Sequence, residues 1–166
     1  MKTCLLAALL FWPALAPAQS PDKELIARAQ SFRSLMRELD SARTPAARNA
    51  ALQKAPAVYD QRIPYDFRKG LGYASVPTWS LMTDWTKLAS QETMFMGKTA
   101  RRYAADCGSG LAPAQATLAA ARRFQDFLNS SPWPQALQEM IRAVQTAHAA
   151  AIKDWERLAR CAAKNQ

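Results

Sequence analysis

LQEMIRAVQTAHAAAIKDWERLARCAA, residues 137–163, places Leu137, Ile141, Val144, His148, Ala151, Trp155, Leu158 and Ala162 at alternating steps of four and three. Those steps put all eight on one face of a helix and sustain it for nearly four heptads. Just upstream, Asn129-Ser130-Ser131-Pro132 supplies capping side chains followed by proline, a helix-opening pattern. A helix is therefore expected over 132–163. One such seam in a chain of this size calls for neighbouring helices to cover it, so a bundle is expected rather than a coiled coil.

Working backward, Leu118, Phe124, Phe127 and Leu128 mark a helix over 112–129, which opens near Pro113. Gly108-Ser109-Gly110 closes the helix before it, because glycine accepts the left-handed conformation at a helix end. That earlier helix is expected over 77–107. Its apolar face is Trp79, Met82, Trp85, Leu88, Ala89, Phe95, Met96 and Tyr103. Gly97 and the polar run Ser90-Gln91-Glu92-Thr93 are the places where it would bend or break. Ser20-Pro21 opens a first helix, 21–41, with Leu25, Ile26, Ala29, Phe32, Leu35, Met36 and Leu39 as its stripe. Thr44-Pro45 opens a second over 45–55, which Pro56 is expected to stop. Residues 56–76 hold Pro56, Pro64, Gly70 and Gly72 without helical periodicity. They read as one long loop, with a short strand near Val58. The expected fold is all-α: an antiparallel bundle of about five helices.

The first residues have a different character. Met1-Lys2 is positive, residues 4–12 are apolar, and Ala16-Pro17-Ala18 ends the segment in small residues. This is the pattern of a cleavable secretory signal peptide over 1–18, with an apolar core too short to span a bilayer. The remainder, 19–166, is expected to be a single domain in the periplasm or outside the cell. Removing 1–18 takes Cys4 with it and leaves Cys107 and Cys161. Two cysteines in an oxidising compartment imply a disulfide, and only one pairing is available. In an up-down-up order the ends of the 77–107 and 132–163 helices lie together, so the bundle and the bond support each other.

Chemistry-bearing motifs are sparse. There is no G-x-G-x-x-G, no G-x-x-x-x-G-K-[ST] loop and no G-x-S-x-G elbow. One histidine and two bonded cysteines cannot assemble a zinc site. His148 lies on an apolar seam, where it could ligate a non-covalent haem with Met36, Met82 or Met96. A partly buried histidine with satisfied nitrogens is the plainer expectation. The acidic residues Asp84, Glu92, Asp106, Asp154 and Glu156 neighbour basic ones and read as solvated ion pairs. No catalytic residue, metal or cofactor is expected.

Two features could carry binding, with the 59–79 region expected as the principal contact surface and a basic end as an auxiliary. The loop region holds Tyr59, Arg62, Tyr65, Arg68, Tyr73 and Trp79, the residue types richest in contact energy at interfaces. Aromatics pinning the loop over the core would account for them equally well. The second feature is charge. The chain carries +9 overall, and Lys153, Arg157, Arg160 and Lys164 fall at steps of four, three and four. With Lys98, Arg101 and Arg102 they would gather at the disulfide end. The ordinary alternative is a solvated face whose cations favour helix C-termini.

These readings converge on an exported, non-enzymatic helical protein that binds a macromolecule. The partner is expected to be another protein, for which an acidic surface would suit, or an anionic envelope polymer. Nucleic acid is not expected, and neither is a membrane span. Inhibitor or immunity-type proteins and envelope assembly factors fit this description. A chaperone-like bundle is the alternative, and a haem or small-molecule carrier stands behind it.

Overall fold

A computed structural model describes residues 21–62 and 79–165. The described chain is all-helical: α1 Pro21–Ser41, α2 Pro45–Leu52, α3 Ala55–Arg62, α4 Trp79–Asp106, α5 Leu111–Ser130 and α6 Gln138–Lys164, with a 3-10 turn, Gln135–Leu137, leading into α6. Thr44 caps α2, its hydroxyl accepting from the Ala47 N–H at 3.2 Å.

Two expectations about the middle of the chain need correction. Ala55–Arg62 is a helix, not the start of a loop, and Val58 lies in it rather than in a strand. Pro56 falls at the helix's second residue, where its missing N–H would have had no intrahelical partner anyway. It therefore starts a helix instead of ending one. Burial of Ala55, Val58 and Tyr59 supplies the driving force. The rest of the expected loop lies outside the described residues. Likewise α4 runs unbroken through Ser90–Thr93 and Gly97. Glu92, Thr93 and Met96 are buried there, and a methyl group built on Gly97 would sit 3.1 Å from the Ala151 Cβ. Glycine is the residue that lets α4 and α6 approach this closely.

Contacts between helices give the topology. Pairs at a near-constant sequence difference mark parallel neighbours. Arg28 with Glu92, Phe32 with Phe95 and Leu39 with Tyr103 set α1 parallel to α4. Gly97 with Ala151, Arg101 with Asp154 and Ala104 with Cys161 set α4 parallel to α6. Leu52 at the end of α2 meets Thr117 and, further on, Asp60 of α3 meets Arg123, so α3 runs parallel to α5. Arg122 with Glu156, Gln125 with His148 and Leu128 with Gln145 run in opposite senses, so α5 and α6 are antiparallel. The chain thus goes up, down, up, down, up. The five elements close a ring in the order α1, α4, α6, α5, α3 and back to α1.

The ring encloses the core. Tyr59, Tyr103, Phe124, Trp155, Leu158 and Met96 are fully buried, and each such side chain contributes about 1.5–3 kcal/mol by leaving water. Trp85 stacks on Trp133 at 5.5 Å and meets Phe127 edge-on at 5.9 Å. On α1 the buried stripe is Arg28, Phe32, Leu35 and Leu39, while Ile26 is exposed, contrary to the expected stripe.

Candidate functional site

Because α4 and α6 are parallel, their C-terminal ends lie side by side. Cys107 follows α4 directly with φ of 50°, the left-handed conformation that terminates the helix. It is bonded to Cys161, their Cα atoms 5.4 Å apart. A non-glycine residue pays about 1–2 kcal/mol for that backbone, which the crosslink and its surroundings hold in place. The linker is tied down further. Gly110 N–H donates to the Asn49 side-chain oxygen, and Gly108 N–H donates to Asp106 Oδ1 at 3.1 Å. Arg48 on α2 reaches Asp106 at 2.5 Å. That guanidinium holds the Asp106 carboxyl below its ordinary range, against a smaller upward push from burial and with help from Gly108 N–H.

The neighbouring end of α1 is fixed by α4. The Leu39 carbonyl, one of the last four of α1, accepts from Arg102 Nη2 at 2.6 Å and from the Tyr103 hydroxyl at 2.7 Å. Burial pushes the Tyr103 phenol up, with Arg102 opposing. Arg102 also pairs with Asp40 at 3.2 Å.

On this frame sit the cations. Asp154 is 6% exposed and accepts from Arg101 at 3.1 Å and from Arg157 at 3.0 Å, bridging α4 and α6. Its burial corrects the expectation of a solvated carboxylate. Glu92 needs the same correction: it is fully buried and holds buried Arg28 at 2.9 Å. Glu156 is taken up by Arg122 and Asp106 by Arg48. Lys98, Lys153, Arg160 and Lys164 are exposed and form no ion pair among the described residues. Arg33 and Arg37 are exposed on α1, at helical spacing from Asp40.

The candidate residues divide sharply. Arg157 and Arg160 lie on the basic end as expected. Tyr59 does not reach the surface: its hydroxyl accepts from Trp155 Nε1 at 3.0 Å inside the ring, and its ring meets His148 at 5.6 Å. Arg62 ends α3 and Trp79 begins α4, with neither side chain described. Tyr65, Arg68 and Tyr73 lie outside the described residues. His148 is buried, with Nδ1 3.0 Å from Gln125 Oε1 and Phe124 edge-on at 5.0 Å. Among the described residues no group of three or more His, Cys, Asp or Glu could hold a metal ion, and no helix is long and apolar enough to cross a membrane.

No protein-family model matches the chain, and no match is found among curated proteins or solved structures.

Proposed function

We propose that this is an exported, non-enzymatic protein that binds an acidic macromolecular partner, most simply an acidic protein surface, with its disulfide-tied basic end. An inhibitor or immunity-type protein, or an envelope assembly factor, would work in this way. The observation that carries the reading is the imbalance at that end. The nearby carboxylates are already engaged by Arg48, Arg101, Arg157 and Arg122, while Lys98, Lys153, Arg160 and Lys164 face solvent unpaired among the described residues. Exposed cations on a rigid end raise the encounter rate with an anionic surface and suppress cationic competitors. The crosslink limits the ordering cost of binding.

Calorimetric titration of the mature, oxidised protein tests this. Poly-L-glutamate should bind and poly-L-lysine should not, with affinity falling as salt rises. A Lys153→Glu, Arg160→Glu double variant should lose about tenfold or more of that affinity. Equal binding by parent and variant would remove the basic end from the function.

A chaperone-like role is favoured by one observation, the 62% exposure of Met94 beside this surface. Suppressed aggregation of several unrelated unfolded clients would support it over a single stoichiometric partner.

A further inference from the structure

The seam between α4 and α6 has two halves. At its disulfide end the outward positions are Lys98 and Arg101 on α4 and Arg157 on α6, with Lys153 and Arg160 further round on the outer face of α6, all exposed. Toward the other end the outward positions of α6 turn apolar and small, against a polar wall on α4. Met94 stands out on α4, and Ala143 and Ala150 are exposed on α6 with Ala147 half-buried between them. Here the surface opens into a groove of about 330 Å³, lined by Thr86, Lys87, Ser90 and Gln91 from α4 and by Met140, Ala143 and Val144 from α6. Below it Gly97 meets Ala151, which draws the helices together and keeps the seam low between them. A low trough with an apolar stretch leading into a cationic stretch is the surface that an amphipathic helix covers, its ridge of side chains entering the groove.

We infer that the partner of the α4/α6 seam is an acidic amphipathic helix, lying along the trough with its apolar residues against Met94, Met140 and Ala143 and its carboxylates against Lys98, Lys153, Arg157 and Arg160. This deepens the proposal of an acidic partner and rests on it. Charge complementarity selects the occupant, and pitch selects its conformation. Lys153, Arg157, Arg160 and Lys164 recur at four, three and four residues, so they rise about 6, 4.5 and 6 Å along α6. Carboxylates at the same steps on a second helix lying alongside rise by the same amounts. On an extended strand the same-face carboxylates repeat evenly at about 6.6 Å and drift out of step.

The test uses the full mature oxidised protein and four labelled or titrated probes. These are a helix-forming peptide with leucines on one half and glutamates at four-three-four spacing on the other, a scrambled peptide of identical composition, poly-L-glutamate, and phosphatidylglycerol vesicles. Anisotropy titrations should show the helical peptide binding roughly tenfold or more tightly than its scrambled form, about the effect of one well-buried apolar contact. Met94→Glu and Ala143→Glu alter exposed positions and should weaken the helical peptide by a similar factor, with poly-L-glutamate affinity lowered much less. Equal binding of helical and scrambled peptides would overturn the helix inference and leave the acidic-partner reading standing. Binding to vesicles without discrimination between the peptides would overturn it in favour of a lipid surface. Binding to none of the four would overturn both.

Discussion

Trp155 on α6 and Tyr59 on α3 meet in the middle of the ring, the indole N–H donating to the tyrosine hydroxyl at 3.0 Å with both side chains fully buried. Tyr59→Phe would remove the acceptor and leave a buried N–H without this bond, which costs about 1–3 kcal/mol. Denaturant melts should therefore shift the unfolding midpoint down. Affinity for an acidic partner, measured on folded protein, should not change. Unaltered stability together with lost binding would return Tyr59 to the contact surface.

Arg28 and Glu92 form a second buried polar pair, between α1 and α4, with the guanidinium 5.4 Å from the Trp85 ring. Glu92→Ala would take this carboxylate away from the buried Arg28 guanidinium. Breaking a buried pair in this way costs about 3–5 kcal/mol. Glu92→Gln, which keeps a hydrogen-bond acceptor, should lose distinctly less. Thermal melts of the two variants side by side check the order, and equal losses would contradict the pairing.

How much of this was legible in the sequence depended on whether a residue's neighbours are local. The seam of α6 could be read because Ile141, Val144, Trp155 and Leu158 repeat within one helix, and all are buried. The disulfide followed from cysteine count and helix order, and it is there. Arg28 and Glu92 defeated the local reading. Each occupies a core position on its own helix, where a partner 64 residues away in the chain neutralises its charge. Arg28 falls between Leu25 and Phe32 at steps of three and four, the spacing of a core position. Tyr59 was misjudged for a related reason. Pro56 looked like a stop, so the aromatic residues after it were assigned to a loop, whereas proline at a helix start is compatible with a buried face. The cations of α6 were legible as a row. Their surplus was not, since Asp154 is claimed by two arginines only when α4 and α6 are packed together.

The Cys107–Cys161 bond spans 54 residues. Chain-entropy reasoning gives a loop of that size about 4 kcal/mol of stabilisation. Non-reducing peptide mapping should recover the linked peptides. Replacing both cysteines by serine should lower the melting temperature while far-ultraviolet dichroism stays close to the parent. Two alkylatable thiols in exported protein would contradict the crosslink.

Acid should loosen the same end. Arg48 lowers the Asp106 carboxyl, so this contact contributes stability above the ordinary carboxylate range and loses it as pH falls through the lowered value. The group is half exposed, so the contribution is modest and screened by salt. Asp106→Asn should flatten the acid limb of the stability curve slightly, most visibly at low ionic strength. A variant whose acid limb overlays the parent would show that Asp106 carries none of it.

The most direct test of the basic end as the binding surface is amide-shift mapping. Isotope-labelled, oxidised mature protein is titrated with poly-L-glutamate at low salt. The expected result is a contiguous set of shifted amides around Lys98, Arg101, Lys153, Arg157 and Arg160, relaxing as salt is added. Shifts centred instead on the α3/α5 side near Arg123, or no shifts at all, would contradict it.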